Sequence, residues 1–200
     1  MGFLNENIDL TTRKIVRDII KIVRSGEEGS WELPSSIRNE DYYEKDLYVF
    51  FDWKKGWNET NQKYFVDGNY DDETETMAIT LFINEDYYPQ LLFDLIADLN
   101  DIVAHEYEHH YQNLGLRPDD EYFDGEQEDQ PDDWTYYLQS HEIPAVFRGV
   151  RRVMKLRRIS FEKALDEWYE RNLSDLIPKK DYEMLKEKLA ELYYKKYGKK

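Results

Sequence analysis

"HEYEHHYQ", His105 to Gln112, holds three of the chain's four histidines and sets glutamates among them. Residues four apart on an α-helix share a face and lie about 6 Å apart along its axis. His105 and His109 can therefore aim their imidazoles at one point, the arrangement by which a helix offers zinc two nitrogen ligands. The pattern around the motif supports a helix from Pro89 to Leu114. Pro89 suits a first turn, Gly115 a stop, and Pro118 follows beyond it. The motif then falls near the end of a long helix.

Projected at about 100° per residue, Leu92, Leu95, Ile96, Leu99, Ile102, Val103 and Leu114 fill one apolar arc. Glu106 falls inside that arc. An ionised carboxylate turned toward a core is costly without a cation or donor beside it, which makes Glu106 the candidate general base. His105, His109 and Gln112 sit at the edge of the arc, in line with Asp94, Asp98 and Asp101. His110 points into the arc, roughly 100° from His109, and reads as a buried, hydrogen-bonded structural histidine. Asp101, one turn before His105, has two readings: acceptor of that ring's second proton, or a solvated carboxylate. Glu108 is expected to face solvent.

A catalytic zinc needs a third protein ligand and one open position. "YYLQSHEIPAVFRGV" supplies both remaining candidates. Counting from Glu142, the residues Ala145, Val146, Gly149, Val150 and Val153 recur at helical spacing, so Glu142 heads the buried face of a helix beginning near Ser140. His141 shares the other side with Arg148 and Arg152, expected to be solvated. Small Ala145 and Gly149 permit close approach of another backbone. A carboxylate in a first turn can also merely complement the helix dipole, but that role does not require an inward face.

Earlier in the chain, "DLTTRKIVRDIIKIVRSG" predicts an amphipathic helix capped at Asp9 or Thr11 and stopped at Gly26. "WELPSSI" breaks at Pro34. "LYVFFDW", "QKYFV" and "MAITLFIN" predict three antiparallel strands separated by "KKGWN" and "DGN" turns. After the motif helix, "RPDDEYFDGEQEDQPDD" has almost no apolar residues and predicts a loop, with a spacing that does not fit an EF-hand. Its charge, if it borders a cleft, favours basic peptides; a solvated loop without a substrate role is the alternative. Three helices follow: from Ser140, from the cap Ser160 in "SFEKALDEWYERN", and over "KKDYEMLKEKLAELYYKKYG" before a Lys tail. No internal repeat is visible. The fold class is α+β, a single domain over 1–200, with residues 1–88 as N-terminal helix and sheet and 89–200 as motif helix and C-terminal helices.

Composition narrows the chemistry. A formal charge of −16 repels nucleic acid and anionic membrane surfaces. Zero cysteines exclude disulfides and thiolate metal sites, so any metal must use His and carboxylate. "MGFLNENIDL" has neither a basic start nor an apolar run, Glu6 stands where a myristoylation signal wants Ser or Thr, and no stretch has transmembrane length. A cytoplasmic protein is expected, or one of a host cytoplasm or virion if the chain is phage-encoded. The oligomeric state is unreadable.

"HEYEH" on a helix, followed by the glutamate of "EIPA" near the start of the next, resembles the gluzincin branch of zinc metallopeptidases. The likeness runs from Met77 to about Val153 and is nearest to small gluzincin-like proteins of phages and prokaryotes. It implies a zincin-like fold, Zn²⁺ held by His105, His109 and Glu142, Glu106 as general base, and "MAITLFIN" as the edge strand to which an extended peptide adds. Larger members carry a transition-state tyrosine or histidine on a further domain. At 200 residues no such domain is expected, and Tyr111, Tyr136 and Tyr137 are the candidates to substitute, among seventeen tyrosines. The implied reaction is peptide-bond hydrolysis on a peptide or protein substrate. A zinc hydrolase of another amide and a catalytically idle zincin used for binding or in a virion are the alternatives.

Overall fold

The computed structural model describes residues 2–34, 46–56, 63–88, 91–115 and 133–198, except for the side chains of 2–9, 93 and 133–134. The acidic stretch expected to loop between the two motif-bearing helices lies outside the described residues except at Asp133. So do Pro89 and Pro118. The protein is α+β, with five α-helices and a small mixed four-stranded sheet among the described residues. It forms two compact units, Met1–Leu116 and Arg117–Lys200.

In the first unit, α1 (Gly2–Ser25) begins well before the expected caps at Asp9 and Thr11. Nothing between Phe3 and Ser25 breaks a helix, and a cap residue inside an unbroken run stays helical. Gly26, at φ 79°, ends it as expected. The strands are β1 (Gly29–Glu32), β2 (Tyr48–Lys55), β3 (Tyr64–Asp71) and β4 (Thr76–Ile83). β1 was not among the three expected strands; four residues of "GSWE" are too few to show alternation.

The strand order is β1-β2-β4-β3, and β2 pairs parallel with β4, so the sheet is not antiparallel throughout. Burial explains the order. β4 turns Met77, Ile79, Leu81 and Ile83 inward and β2 turns Val49, Phe51 and Trp53 inward, all essentially inaccessible to solvent. Each such side chain contributes about 1.5–3 kcal/mol when fully buried, so the two richest strands take the centre. β3, whose inner positions are only half-buried, takes an edge. "MAITLFIN" is consequently a central strand, not the edge strand that the resemblance implied.

The "DGN" of β3 is not a turn either. Asp67, Gly68 and Asn69 lie inside the strand, paired with Thr80, Ile79 and Ala78. The reversal occurs after Asp71, whose Oδ1 accepts the backbone N–H groups of Glu73 and Thr74 at 2.9 and 3.1 Å. The Thr74 N–H holds this carboxyl below its usual range.

α2 (Leu92–Asn113) carries the motif and ends before Gly115, at φ 63°. Ile15, Ile19 and Val23 of α1, the inner faces of β2 and β4, and Leu95, Leu99, Val103, Tyr107 and Tyr111 of α2 form one core. Both helices thus share a core with the sheet, and α2 falls in the first unit.

The second unit is helical. It comprises a 3₁₀ helix (Asp133–Leu138), α3 (Glu142–Arg157), α4 (Phe161–Asn172) and α5 (Lys179–Tyr197). Ser160 caps α4 as expected, its hydroxyl accepting from Lys163 N–H at 3.3 Å. α3 starts at Glu142, two residues after Ser140, with Pro144 accommodated in its first turn. Ile143, Val146, Phe147 and Val150 of α3 meet Phe161, Leu165 and Trp168 of α4 and Tyr182, Leu185 and Leu189 of α5 in the unit's core. No helix among the described residues is long and apolar enough to cross a membrane.

Candidate functional site

α2 is buried on nearly every side from Ala97 to Tyr111. Within that stretch only Ile102, His105 and His109 keep partial exposure, and Gln112 continues their line. These positions are spaced three, four and three apart, so α2 opens along one narrow stripe that carries both motif histidines. This overturns one expectation and narrows another. Glu108, expected to face solvent, is buried, and so is Asp101, which removes the solvated one of its two readings. The projection assumed one buried face, whereas α1 and β3 both pack against this helix.

Along the stripe, His105 Nε2 and His109 Nε2 stand 3.1 Å apart, with their rings crossing at 73°. His109 Nδ1 lies 3.1 Å from Gln112 Oε1. With a carbonyl oxygen as partner, Nδ1 is the donor, and the Nε2 lone pair is left facing His105. Without a cation, one ring must carry the proton between them. With one, both lone pairs converge on it. Two nitrogens on a tetrahedral zinc, each at about 2.0–2.1 Å, are about 3.3 Å apart, so the pair fits that ion within a few tenths of an ångström. Gln112 was placed on the correct edge by the helical projection, yet its contact with His109 was not read.

His110 is buried and hydrogen-bonded as expected, its Nδ1 lying 3.1 Å from the Tyr70 hydroxyl. Asn113 Nδ2 donates to that same hydroxyl at 3.0 Å. At the other end of β3, the Tyr64 hydroxyl donates to buried Asp98. Between these two ties, Gly68 faces Ile102 and Glu106. Glu106 is 8% exposed, with its carboxylate turned toward the β3 backbone. The inner positions Tyr64, Gly68 and Tyr70 therefore meet α2 at Asp98, Ile102 with Glu106, and His110 in order.

In the second unit, Glu142 is 1% exposed, while the His141 side chain is half exposed. Adjacent residues at the start of α3 thus face opposite ways, as the spacing of Ala145, Val146, Gly149, Val150 and Val153 implies; all five are buried. Arg152, expected to be solvated beside His141, is buried as well.

The Tyr136 hydroxyl donates to Glu142 Oε1 at 2.6 Å, and His141 Nε2 lies 3.4 Å from the same oxygen. Of the three tyrosines singled out, Tyr111 is buried in the first unit's core against Tyr107. Tyr137 packs edge-on to Trp168, and burial, then the charge of Glu142, raises its hydroxyl above the usual range. Tyr136 is 40% exposed and reaches a candidate ligand. In a chain with seventeen tyrosines, no spacing singles out this one.

Compared with known proteins, the chain matches no family model, no curated sequence and no solved structure.

Proposed function

We propose that this chain is a zincin-type zinc peptidase of the gluzincin pattern, with His105, His109 and Glu142 as ligands and Glu106 as general base. The observation that carries the reading is the pair of Nε2 atoms 3.1 Å apart on the one open stripe of an otherwise buried helix. Each of the three ligands offers one donor atom, a ring nitrogen or a carboxylate oxygen, and the resulting two-nitrogen, one-oxygen set suits Zn²⁺.

Zinc, when bound, supplies a Lewis acid that polarises a carbonyl and acidifies water. Glu106 would serve there as the base that accepts a proton from water and returns it to the leaving amine, a role that needs an ionised, rigidly held carboxylate. Gln112 holds the His109 ring through Nδ1. Tyr136 holds Glu142 Oε1, which would leave the carboxylate's other oxygen to serve as ligand. Asp101, buried one turn before His105, would be the acceptor of that ring's second proton. β3 ends the sheet, so an extended peptide adding to it runs beside the strand that meets Glu106.

The test is zinc content together with digestion of a peptide library. Wild-type protein should cleave peptides, lose cleavage on chelation and regain it with zinc. A protein that binds zinc stoichiometrically and cleaves no peptide would instead be a zincin-fold binding protein, and the peptidase reading would fall.

A quantitative expectation attaches to Tyr136. Tyr136→Phe keeps the ring and removes the hydroxyl that donates to Glu142 Oε1. Outer-shell partners of this kind are worth about 10–100-fold in metal affinity or activity, so zinc affinity should fall within that range in a chelator competition. Unchanged affinity would remove Tyr136 from the site.

A further inference from the structure

We infer that Gly68 is a positioning residue. Its missing side chain sets the depth at which the Glu106 carboxylate rests against β3. The inference rests on the proposed role of Glu106 as general base.

Gly68 lies in mid-strand, paired with Ile79, and its φ is outside the left-handed region. The backbone does not require glycine there; the space does. A Cβ added at this position would overlap Ile102 Cγ2 and stand 3.0 Å from Glu106 Cγ and 3.4 Å from Glu106 Oε1. Ile102 is β-branched and helical, with one strongly preferred χ1 well, so its Cγ2 cannot swing aside cheaply. β3 cannot easily retreat either. Tyr64 ties it to Asp98, Tyr70 ties it to His110, and the ladder to β4 holds its far edge.

The two ties are in step. Six strand residues span about 20 Å and twelve helical residues about 18 Å, so strand and helix run side by side without slack. The remaining soft coordinate is the Glu106 side chain. A methyl at position 68 therefore presses on two neighbours: its overlap with Ile102 Cγ2 forces a shift there, and its 3.0 Å contact with Glu106 Cγ displaces the carboxylate.

The experiment compares zinc-loaded full chains carrying Gly68→Ala, Ile102→Ala and both. A misplacement of about 1 Å can cost about 10²-fold, so Gly68→Ala should lower kcat on this scale, with KM and zinc content unchanged. Ile102→Ala removes the overlapping Cγ2, which restores packing if Gly68→Ala destabilises the fold, as urea unfolding would report. The double variant should still show the kcat loss that Ile102→Ala alone does not, because the contact with Glu106 Cγ persists. Recovery of kcat in the double variant, or full kcat in Gly68→Ala, would reduce Gly68 to a packing residue.

A readout independent of hydrolysis separates this inference from the peptidase reading. The metal-free wild-type chain should give a nuclear Overhauser contact between the Gly68 α-protons and the Glu106 γ-protons. Its absence would overturn the seat itself. Its presence in a protein that cleaves nothing would leave the seat standing and sink only the peptidase reading.

Discussion

Glu106→Gln leaves the protein folded and zinc-loaded and lowers peptide hydrolysis by about 10²- to 10⁴-fold, the usual contribution of a positioned general base. Glutamine preserves the volume of a side chain that is 8% exposed, so it fits the same space beside Gly68 and Ile102. The amide removes the basic oxygen and nothing else that zinc binding uses, since the proposed ligands are His105, His109 and Glu142. The loss should therefore appear in kcat, with zinc content by metal analysis equal to wild type and the urea midpoint little changed. Replacing a charged buried carboxylate with a neutral amide can raise stability slightly, because the desolvation cost of the charge disappears. Hydrolysis at the wild-type rate in this variant would exclude Glu106 as the base.

The same residue shows how far the sequence could be read and where it could not. The helical projection placed Glu106 on the apolar arc of α2 and His105 with His109 at its edge, because a 3.6-residue period needs only local information. β4 was legible as a strand from local composition, its run of aromatic and β-branched residues in "MAITLFIN". What covers an element is not local. Glu108 was expected in solvent, and solvation stayed open for Asp101, because one apolar arc implies one buried face, yet α1 and β3 each pack against α2. The parallel pairing of β2 with β4 joins segments 28 residues apart in register, Tyr48 with Thr76, and no turn signal encodes it.

Gly68 was misread for a chemical reason. Asp-Gly-Asn is strong turn chemistry, and glycine at a turn and glycine at a close approach look identical in one sequence. The alternation of Tyr64, Val66, Gly68 and Tyr70 was the available sign that the strand continues. Tyr136 carried no comparable sign, since its contact with Glu142 depends on how the 3₁₀ helix meets α3.

The third ligand is decided by a pair of variants whose effects should be opposite in size. Glu142→Ala removes a buried carboxylate and leaves two histidines, a set that holds zinc poorly. Loss of an outer-shell partner alone costs about 10–100-fold, so loss of the ligand should exceed about 100-fold in a chelator competition. Peptide cleavage at limiting zinc should fall in proportion. His141→Ala should be mild, because its ring is half in solvent and its contact with Glu142 Oε1, at 3.4 Å, is longer than that of Tyr136. Should Glu142→Ala unfold, Glu142→Gln keeps the volume and an oxygen for the Tyr136 hydroxyl while removing the charge that zinc binding needs. Retention of zinc in both Glu142 variants, with loss in His141→Ala, would replace the proposed set by three histidines. It would also mean that the start of α3 rotates His141 inward when metal binds, against the outward position that it holds before Glu142 and Pro144.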